Sequence, residues 1–222
     1  MTPDSLMTIL GLTLGVAFSS TVVCLPGALL IGYGLARGAI PWPSFVRALI
    51  TLPMVMPPVA VGLALLYLLG NTSPLAPFWE ATGIELVFTP MAAVLAAALV
   101  GFPLLARSAE QSFAEIDPAL EEVAWSLGSS PVATFFRVSL PLARRGLLYG
   151  SLLCFTRALG EFGATAVVAG IIPGHTETLS LGIWSRIQLG DDSGAALLVA
   201  ISFGLALVAM LAAERWLGKN PR

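Results

Sequence analysis

Long apolar stretches alternate with short polar ones along the chain. Four stretches contain no charged residue, at 6–36, 48–79, 86–106 and 193–213, and a fifth, 146–170, is interrupted by Arg157 and Glu161 alone. A helix rises about 1.5 Å per residue, so roughly 20 apolar residues cross the ~30 Å hydrocarbon core of a bilayer. The pattern therefore predicts an all-α integral membrane protein with about five spans, at roughly 6–36, 48–69, 88–107, 146–170 and 193–217.

Composition supports lipid as the solvent for much of this chain. Of its 222 residues, 57% are hydrophobic and 11% are charged, and the mean hydropathy is +0.89. A soluble core of this size cannot bury that much apolar surface. Cys24 and Cys154 both fall inside predicted spans, which argues against a disulfide framework or a redox site and favours packing roles.

The distribution of positive charge orients the predicted spans, because Arg and Lys favour the cytoplasmic ends of short loops. With the amino terminus outside and the carboxyl terminus in the cytoplasm, only Arg186 lies outside. The residues that then lie inside are Arg37, Arg47, Arg107, Arg137, Arg144, Arg145, Arg215, Lys219 and Arg222. No basic patch exceeds this bias, so the sequence gives no sign of nucleic-acid binding.

The beginning of the second span, residues 51–58, contains too many prolines for a regular helix. One interpretation is a kinked or partly unwound segment at membrane depth, where irregular backbone is tolerated if it lines an aqueous cavity. The other is a helix that begins only near Pro57, at the interface.

Residues 108–145 form the longest polar segment. Their helix-capping and helix-ending residues predict two short helices on the inside face. Asp117-Pro118 opens the first, which Gly128 closes, and Ser130-Pro131 opens the second. Glu121 and Glu122 in the early turns suit the positive end of the helix dipole.

Arg157 and Glu161 are one helical turn apart in the fourth span, so their side chains can form an ion pair. Arg157 lies about ten residues past the inner end of the span, roughly 15 Å deep. A charge at that depth is costly, which favours a functional role for the pair. Arg157 would attract a passing oxyanion, and Glu161 would prevent the oxyanion from being trapped. The alternative is a structural ion pair. His175, the one histidine, has no cluster of other ligand residues around it in the sequence, so no metal site is predicted.

Three strings carry a family resemblance. Glu122-Val-Ala-Trp-Ser-Leu-Gly128, followed after nine residues by Val138-Ser-Leu-Pro141, resembles the coupling loop of the permease subunits of ABC importers. The strings 157–164 and 52–62 resemble signatures of permeases for molybdate and sulfate. The chain is similar to molybdate permeases of the type I importer fold, with 108–145 as the coupling hairpin.

The resemblance implies a subunit of a multi-pass bacterial inner-membrane importer for molybdate or tungstate, with sulfate or another oxyanion as the alternative. Glu122, Ala124, Gly128, Leu140 and Pro141 are implied to couple it to a separate ATP-binding subunit, and Arg157 and Glu161 to line the translocation pathway. The implied partners are a second copy of the chain, two ATP-binding subunits, an extracytoplasmic oxyanion-binding protein and membrane lipid.

The chain has no Gly-x-x-x-x-Gly-Lys-Ser/Thr loop and no nucleophile with a base and an orienting group. It is therefore predicted to be a non-catalytic permease without a cofactor of its own, with ATP and Mg bound by the partner subunit. A channel or ion-coupled secondary carrier is the competing class, in which Arg157 and Glu161 would form a gate or proton site. In that case the hairpin would be only a cytosolic connection.

Overall fold

The computed structural model describes residues 3–70, 73–83 and 85–217, and the regular structure within them is helical. Lys219 and Arg222, assigned above to the inside, lie outside the described residues. The helices are α1 (Pro3–Ala36), α2 (Pro43–Val55), α3 (Pro58–Leu69), α4 (Ala76–Thr82), α5 (Pro90–Ala114), α6 (Pro118–Ser126), α7 (Pro131–Thr134), α8 (Leu140–Leu159), α9 (Gly163–Val168), α10 (Leu179–Gln188) and α11 (Asp192–Leu217).

Helix α5 is the centre of the fold, packed between α1 and α8. In its most apolar 18-residue window 61% of the residues are buried, compared with 33% in α1 and 11% in α11. Small side chains make this close packing possible. A Cβ on Gly32 of α1 would stand 2.7 Å from the Cβ of Ala109, and one on Gly101 of α5 would stand 2.8 Å from the sulfur of Cys154. Most of the α11 surface is left for lipid or a partner.

The predicted second span consists of two helices, α2 and α3, which are bent by 108°. Met56 ends α2 in extended conformation, and Pro57 and Pro58 follow. Neither proline has an N–H to continue the hydrogen-bond ladder, and each disfavours a helical residue before it, so the bend falls here. A regular helix does start beside Pro57, but another helix precedes it. With 12 residues, α3 extends only about 18 Å.

The predicted fourth span is also divided, because α8 ends at Leu159 and α9 starts at Gly163. On its other side α8 continues without interruption into the hairpin, through a π-helical turn at Phe135–Ser139. The N–H of Leu140 bonds to the carbonyl of Phe135, and Pro141, which has no N–H, follows within the helix. The second predicted hairpin helix is therefore the first part of a long helix, rather than a separate element ending before Pro141.

Within the described residues, three helices are individually long and apolar enough to cross a membrane: α1, α5 and α11. The bent pair α2 and α3 becomes a fourth if it is one broken span. Helix α8, which carries Arg144, Arg145 and Arg157, is not among them. The five-span topology accordingly stays a prediction.

A short helix, α10, lies outside the predicted spans, between the fourth and the fifth. The hydroxyl of Thr13 in α1 accepts a hydrogen bond of 2.8 Å from the N–H of Leu179. This contact satisfies one of the N–H groups that a helix start leaves free, and it ties α10 to the first helix.

Candidate functional site

The predicted pairing of Arg157 with Glu161 is confirmed. An Nη1 atom of Arg157 lies 2.9 Å from Oε2 of Glu161, whose side chain is 2% exposed, whereas that of Arg157 is 30% exposed. Among the described residues this is the single polar contact of the Arg157 guanidinium. Since a guanidinium has five N–H donors, most of its binding capacity is left for another acceptor.

Glu161 has a second role that the sequence did not reveal. It lies beyond the end of α8, and its Oε1 accepts a hydrogen bond of 3.0 Å from the N–H of Ala164 in the first turn of α9. One oxygen therefore holds the guanidinium and the other caps the next helix. The carboxylate fixes the break between α8 and α9 and holds Arg157 beside it.

The two strings that resemble oxyanion-permease signatures, 52–62 and 157–164, meet where α3 packs on α9. A Cβ added to Gly62 would stand 2.7 Å from the carbonyl oxygen of Ala164, and one added to Gly163 would stand 2.7 Å from the Cβ of Pro58. Only glycine allows so close an approach at either position. The bend in the second predicted span is therefore packed against the segment that carries Glu161.

The first half of the hairpin follows the prediction. The carboxylate of Asp117 accepts a hydrogen bond from the N–H of Ala119 at the start of α6. Gly128 follows α6 with a φ of 84°, a left-handed conformation that suits glycine. The hydroxyl of Ser130 accepts from the N–H of Ala133 and opens α7. Local capping chemistry is enough to form this turn.

The residues implied to couple the chain to an ATP-binding subunit lie along one polar segment and differ in accessibility. Glu122, Gly128 and Pro141 are exposed, whereas Ala124 and Leu140 are half-buried. Large apolar side chains surround them on the surface, namely Leu120, Val123, Trp125, Leu127, Val132 and Phe136. An exposed apolar surface of this kind outside the predicted spans is typical of a protein contact site.

Sequence reasoning missed the residue that anchors the hairpin, Glu121. Its side chain is 2% exposed and lies 2.8 Å from an Nη2 atom of Arg37, at the end of α1. The Nε of Arg37, the hydroxyl of Tyr33 and the hydroxyl of Ser139 also donate to this carboxylate. A sequence separation of 84 residues between Arg37 and Glu121 gives no local signal that the two will meet.

The surroundings of Glu121 affect its pKa in two opposite directions. Burial by itself would raise the pKa, but the hydrogen bonds from Arg37 and Ser139 and the charge of Arg37 lower it below the ordinary value of 4.5. The carboxylate is therefore held in its ionised form, and α6 is fixed against α1 and the π-helical turn.

The remaining predicted features have simpler surroundings. His175 is exposed in the loop before α10, and the described part of the chain contains no group of three or more His, Cys, Asp or Glu side chains that could hold a metal ion. Cys24 and Cys154 are buried and unlinked, and the thiol of Cys24 lies 3.3 Å from the carbonyl of Ala98. Both cysteines occupy packing positions.

Comparison with known proteins gives three results. The family described as "Binding-protein-dependent transport system inner membrane component" matches residues 28–222. The molybdenum transport system permease protein ModB of Escherichia coli (strain K12) is 36% identical over 213 residues, covering 95% of this chain and 93% of that protein. The protein of the same name from Mycobacterium tuberculosis is 40% identical over 211 residues, which are 95% and 78% of the two chains.

A solved structure supports the fold independently. A chain of the MetNI methionine ABC transporter in an inward-facing conformation superposes with a TM-score of 0.71 over 100% of both chains, at 18% identity. The predicted all-α fold of a type I ABC importer permease is thus confirmed.

Proposed function

The chain belongs to the family of binding-protein-dependent transport system inner membrane components, and on that premise we propose that it imports molybdate, or the similar dianion tungstate. Membership makes it a multi-pass membrane permease that works with ATP-binding subunits and a substrate-binding protein. The substrate is suggested by the relatives named as molybdenum permeases.

The observation that carries the proposal is that most hydrogen-bond donors of the Arg157 guanidinium are unused within the described part of the chain. This guanidinium lies within a predicted span, makes one contact to Glu161, and belongs to a side chain that is 30% exposed. An ionisable side chain at membrane depth is costly and usually faces protein or a pathway. Arg157 would lower the electrostatic barrier to a dianion, and Glu161 would keep the attraction weak enough for release.

Coupling to ATP would pass through the hairpin. The exposed apolar surface around Glu122 would dock on an ATP-binding subunit, with Ala124 and Gly128 allowing close approach and Leu140 and Pro141 at the base of the long helix. Because Glu121 fixes α6 to α1 and α7 continues into α8, a displacement of the hairpin would be transmitted to the end of α8, where Arg157 lies.

In the proposed assembly two copies of the chain form one central path in the lipid bilayer, each with its amino terminus outside and its carboxyl terminus in the cytoplasm. ATP and Mg bind to two partner subunits, where hydrolysis takes place, and this chain is not an enzyme. Closure of the ATP-binding subunits would bring the two hairpins together and open the path towards the extracytoplasmic binding protein. Hydrolysis would return it to the inward-facing state.

The decisive experiment is molybdate uptake into vesicles that contain this chain with its ATP-binding subunit and binding protein. We expect uptake to require ATP and to be lost in Glu122→Ala while the complex remains assembled. Glu115→Ala is the matched control, because Glu115 is also exposed, at the end of α5, but lies outside the coupling motif. Competition by tungstate and sulfate ranks the substrates, and preference for sulfate would reassign the cargo.

The competing class makes the opposite prediction. A channel or ion-coupled secondary carrier would transport without any ATPase, and Glu122→Ala would leave its rate unchanged. Uptake that persists without the ATP-binding subunit would overturn the importer mechanism.

A further inference from the structure

A second polar site lies on the hairpin side of the predicted membrane, between α2, α5 and α8. It is an open cavity of about 480 Å³. The polar side chains that line it are Thr51, Arg107, Ser108, Glu110, Gln111 and Tyr149. None of them belongs to the predicted coupling or pathway residues.

An ion cluster with an excess of positive charge stands at one side of this cavity, formed by the lining residues Arg107 and Glu110 together with Arg47, which contacts Glu110 but does not itself line the cavity. Arg47 and Arg107 both contact the carboxylate of Glu110, at 2.7 Å on Oε1 and 2.9 Å on Oε2 respectively. The Glu110 side chain is 12% exposed, whereas those of Arg47 and Arg107 are 36% and 51% exposed. Two guanidinium groups on one carboxylate leave a net charge of one positive unit.

Donors remain free in the cavity to use that charge. The guanidinium of Arg107 contacts Glu110 through Nη1 alone, and the hydroxyl of the half-exposed Tyr149 has no hydrogen-bond partner among the described residues. Guanidinium and hydroxyl groups are the side chains that bind oxyanions by charge-assisted hydrogen bonds.

Another groove on the same helix has the opposite character. It lies between α1, α3 and α5, has a volume of about 320 Å³, and is lined by apolar side chains and one cysteine, including Val23, Leu65 and Phe102. Such a groove suits lipid acyl chains. The polar cavity differs from it in offering guanidinium and hydroxyl groups to a ligand.

The cavity is aligned with Arg157. Tyr149 and Leu153 line it, and Arg157 follows Leu153 by four residues, on the same face of α8 and about 6 Å further along the axis. An anion released by Arg157 would reach Arg107 after a short passage along this face.

From these observations we infer that the cavity is a binding subsite for a tetrahedral oxyanion. As the exit of the pathway, which rests on the proposed function, it would take the imported oxyanion after Arg157. The phosphate of an anionic lipid offers the same chemistry from the inner leaflet, so the experiment separates the two sources.

The test measures whether an anion occupies the cavity, by the protection of a nearby thiol from labelling. It needs neither ATP, nor transport, nor the binding protein. Met54 lines the cavity and is exposed, so a Met54→Cys thiol reacts with a water-soluble maleimide, whereas Cys24 and Cys154 are buried. The assembled complex is placed in nanodiscs of neutral phosphatidylcholine. Molybdate is compared with chloride at equal ionic strength, which controls for screening.

We expect molybdate at ten times its dissociation constant to slow labelling about tenfold, because only the unoccupied fraction reacts. Arg107→Gln raises the half-protecting concentration roughly 10- to 100-fold by removing a charge-assisted hydrogen bond. Glu110 keeps Arg47 as its partner in this variant, so the fold is preserved. Arg144→Gln, an equal loss of charge at an exposed position that does not line the cavity, leaves protection unchanged.

The source is identified by adding phosphatidylglycerol to the nanodiscs. If this lipid protects the thiol in an Arg107-dependent manner and molybdate does not, the oxyanion is a lipid phosphate. Equal labelling in molybdate, phosphatidylglycerol and chloride, at both Met54→Cys and Thr51→Cys, overturns the subsite. Because no arm measures uptake, that result leaves the proposed import function standing, and a failure of import leaves the subsite standing.

Discussion

Two ion pairs in this chain have nearly the same geometry and very different surroundings. Arg37 with Glu121 and Arg157 with Glu161 have N to O distances of 2.8 and 2.9 Å, and each carboxylate side chain is 2% exposed. Yet the guanidinium of Arg37 uses Nε, Nη1 and Nη2 in hydrogen bonds to Glu121 and the Ile116 carbonyl. Arg157 makes one contact.

The difference shows how to separate a structural ion pair from one that can bind a ligand. The distance and the burial of the carboxylate do not distinguish the two pairs, but the side chain of Arg157 is 30% exposed against 15% for Arg37, and fewer of its nitrogens are bonded. A guanidinium whose three nitrogens all form hydrogen bonds within the protein is a fixed part of the fold. One with free donors and partial access can receive an anion, so we assign anchoring to Arg37 and anion attraction to Arg157.

The largest effect is expected from removing the anchoring carboxylate. Glu121→Ala leaves Arg37 partly buried without its partner, which costs about 3–5 kcal/mol, so the purified complex should unfold at a markedly lower temperature. Glu122→Ala removes the same atoms from an exposed side chain. This variant should keep the wild-type unfolding temperature while it loses uptake. Equal stability of the two variants would contradict the anchoring role.

Arg157 should show the reverse pattern, a loss of transport with little loss of stability. In the double variant Arg157→Gln with Glu161→Gln neither side chain is charged, and the amide oxygen at position 161 can still accept from Ala164. We expect molybdate uptake to fall roughly 10- to 100-fold, the equivalent of a lost charge-assisted hydrogen bond, at an unchanged unfolding temperature. Full uptake in this variant would make the pair a structural one.

Glu161→Gln alone should have a smaller and distinctive effect. It keeps the helix cap and frees the charge of Arg157, so anions should bind more tightly and leave more slowly. Steady-state uptake is expected to show a lower KM together with a lower maximal rate. A lower rate with a higher KM would indicate that Glu161 does not modulate anion release.

The smallest predicted effect concerns pH. The pKa of Glu121 is lowered on folding, so its stabilising contribution is complete above the unfolded value of 4.5 and is lost as the pH falls through the lower folded value. Unfolding temperatures of wild type and Glu121→Gln, measured between about pH 6 and about pH 3.5, should converge towards the acid end. Parallel curves would assign the anchoring to other contacts.

The comparison also separates what could be predicted from what could not. The Arg157 pair is local, because its two residues are only four positions apart in the chain, although Glu161 lies beyond the end of α8. The caps at Asp117 and Ser130 are local too, since each joins residues two or three positions apart. The contact between Arg37 and Glu121, and the convergence of Arg47 and Arg107 on Glu110, join distant segments and have no local pattern.

The all-α membrane class, the hairpin turn and the family can be read from the amino-acid sequence, because these follow from apolar run length, capping chemistry and motif spacing. The folded chain was needed to see that Glu121 is buried and Glu122 exposed, that the second span bends by 108°, and that α8 breaks at Gly160. These outcomes depend on which helices pack together. Packing fixes the burial and the donor count of each side chain, and neither can be read from spacing along the chain.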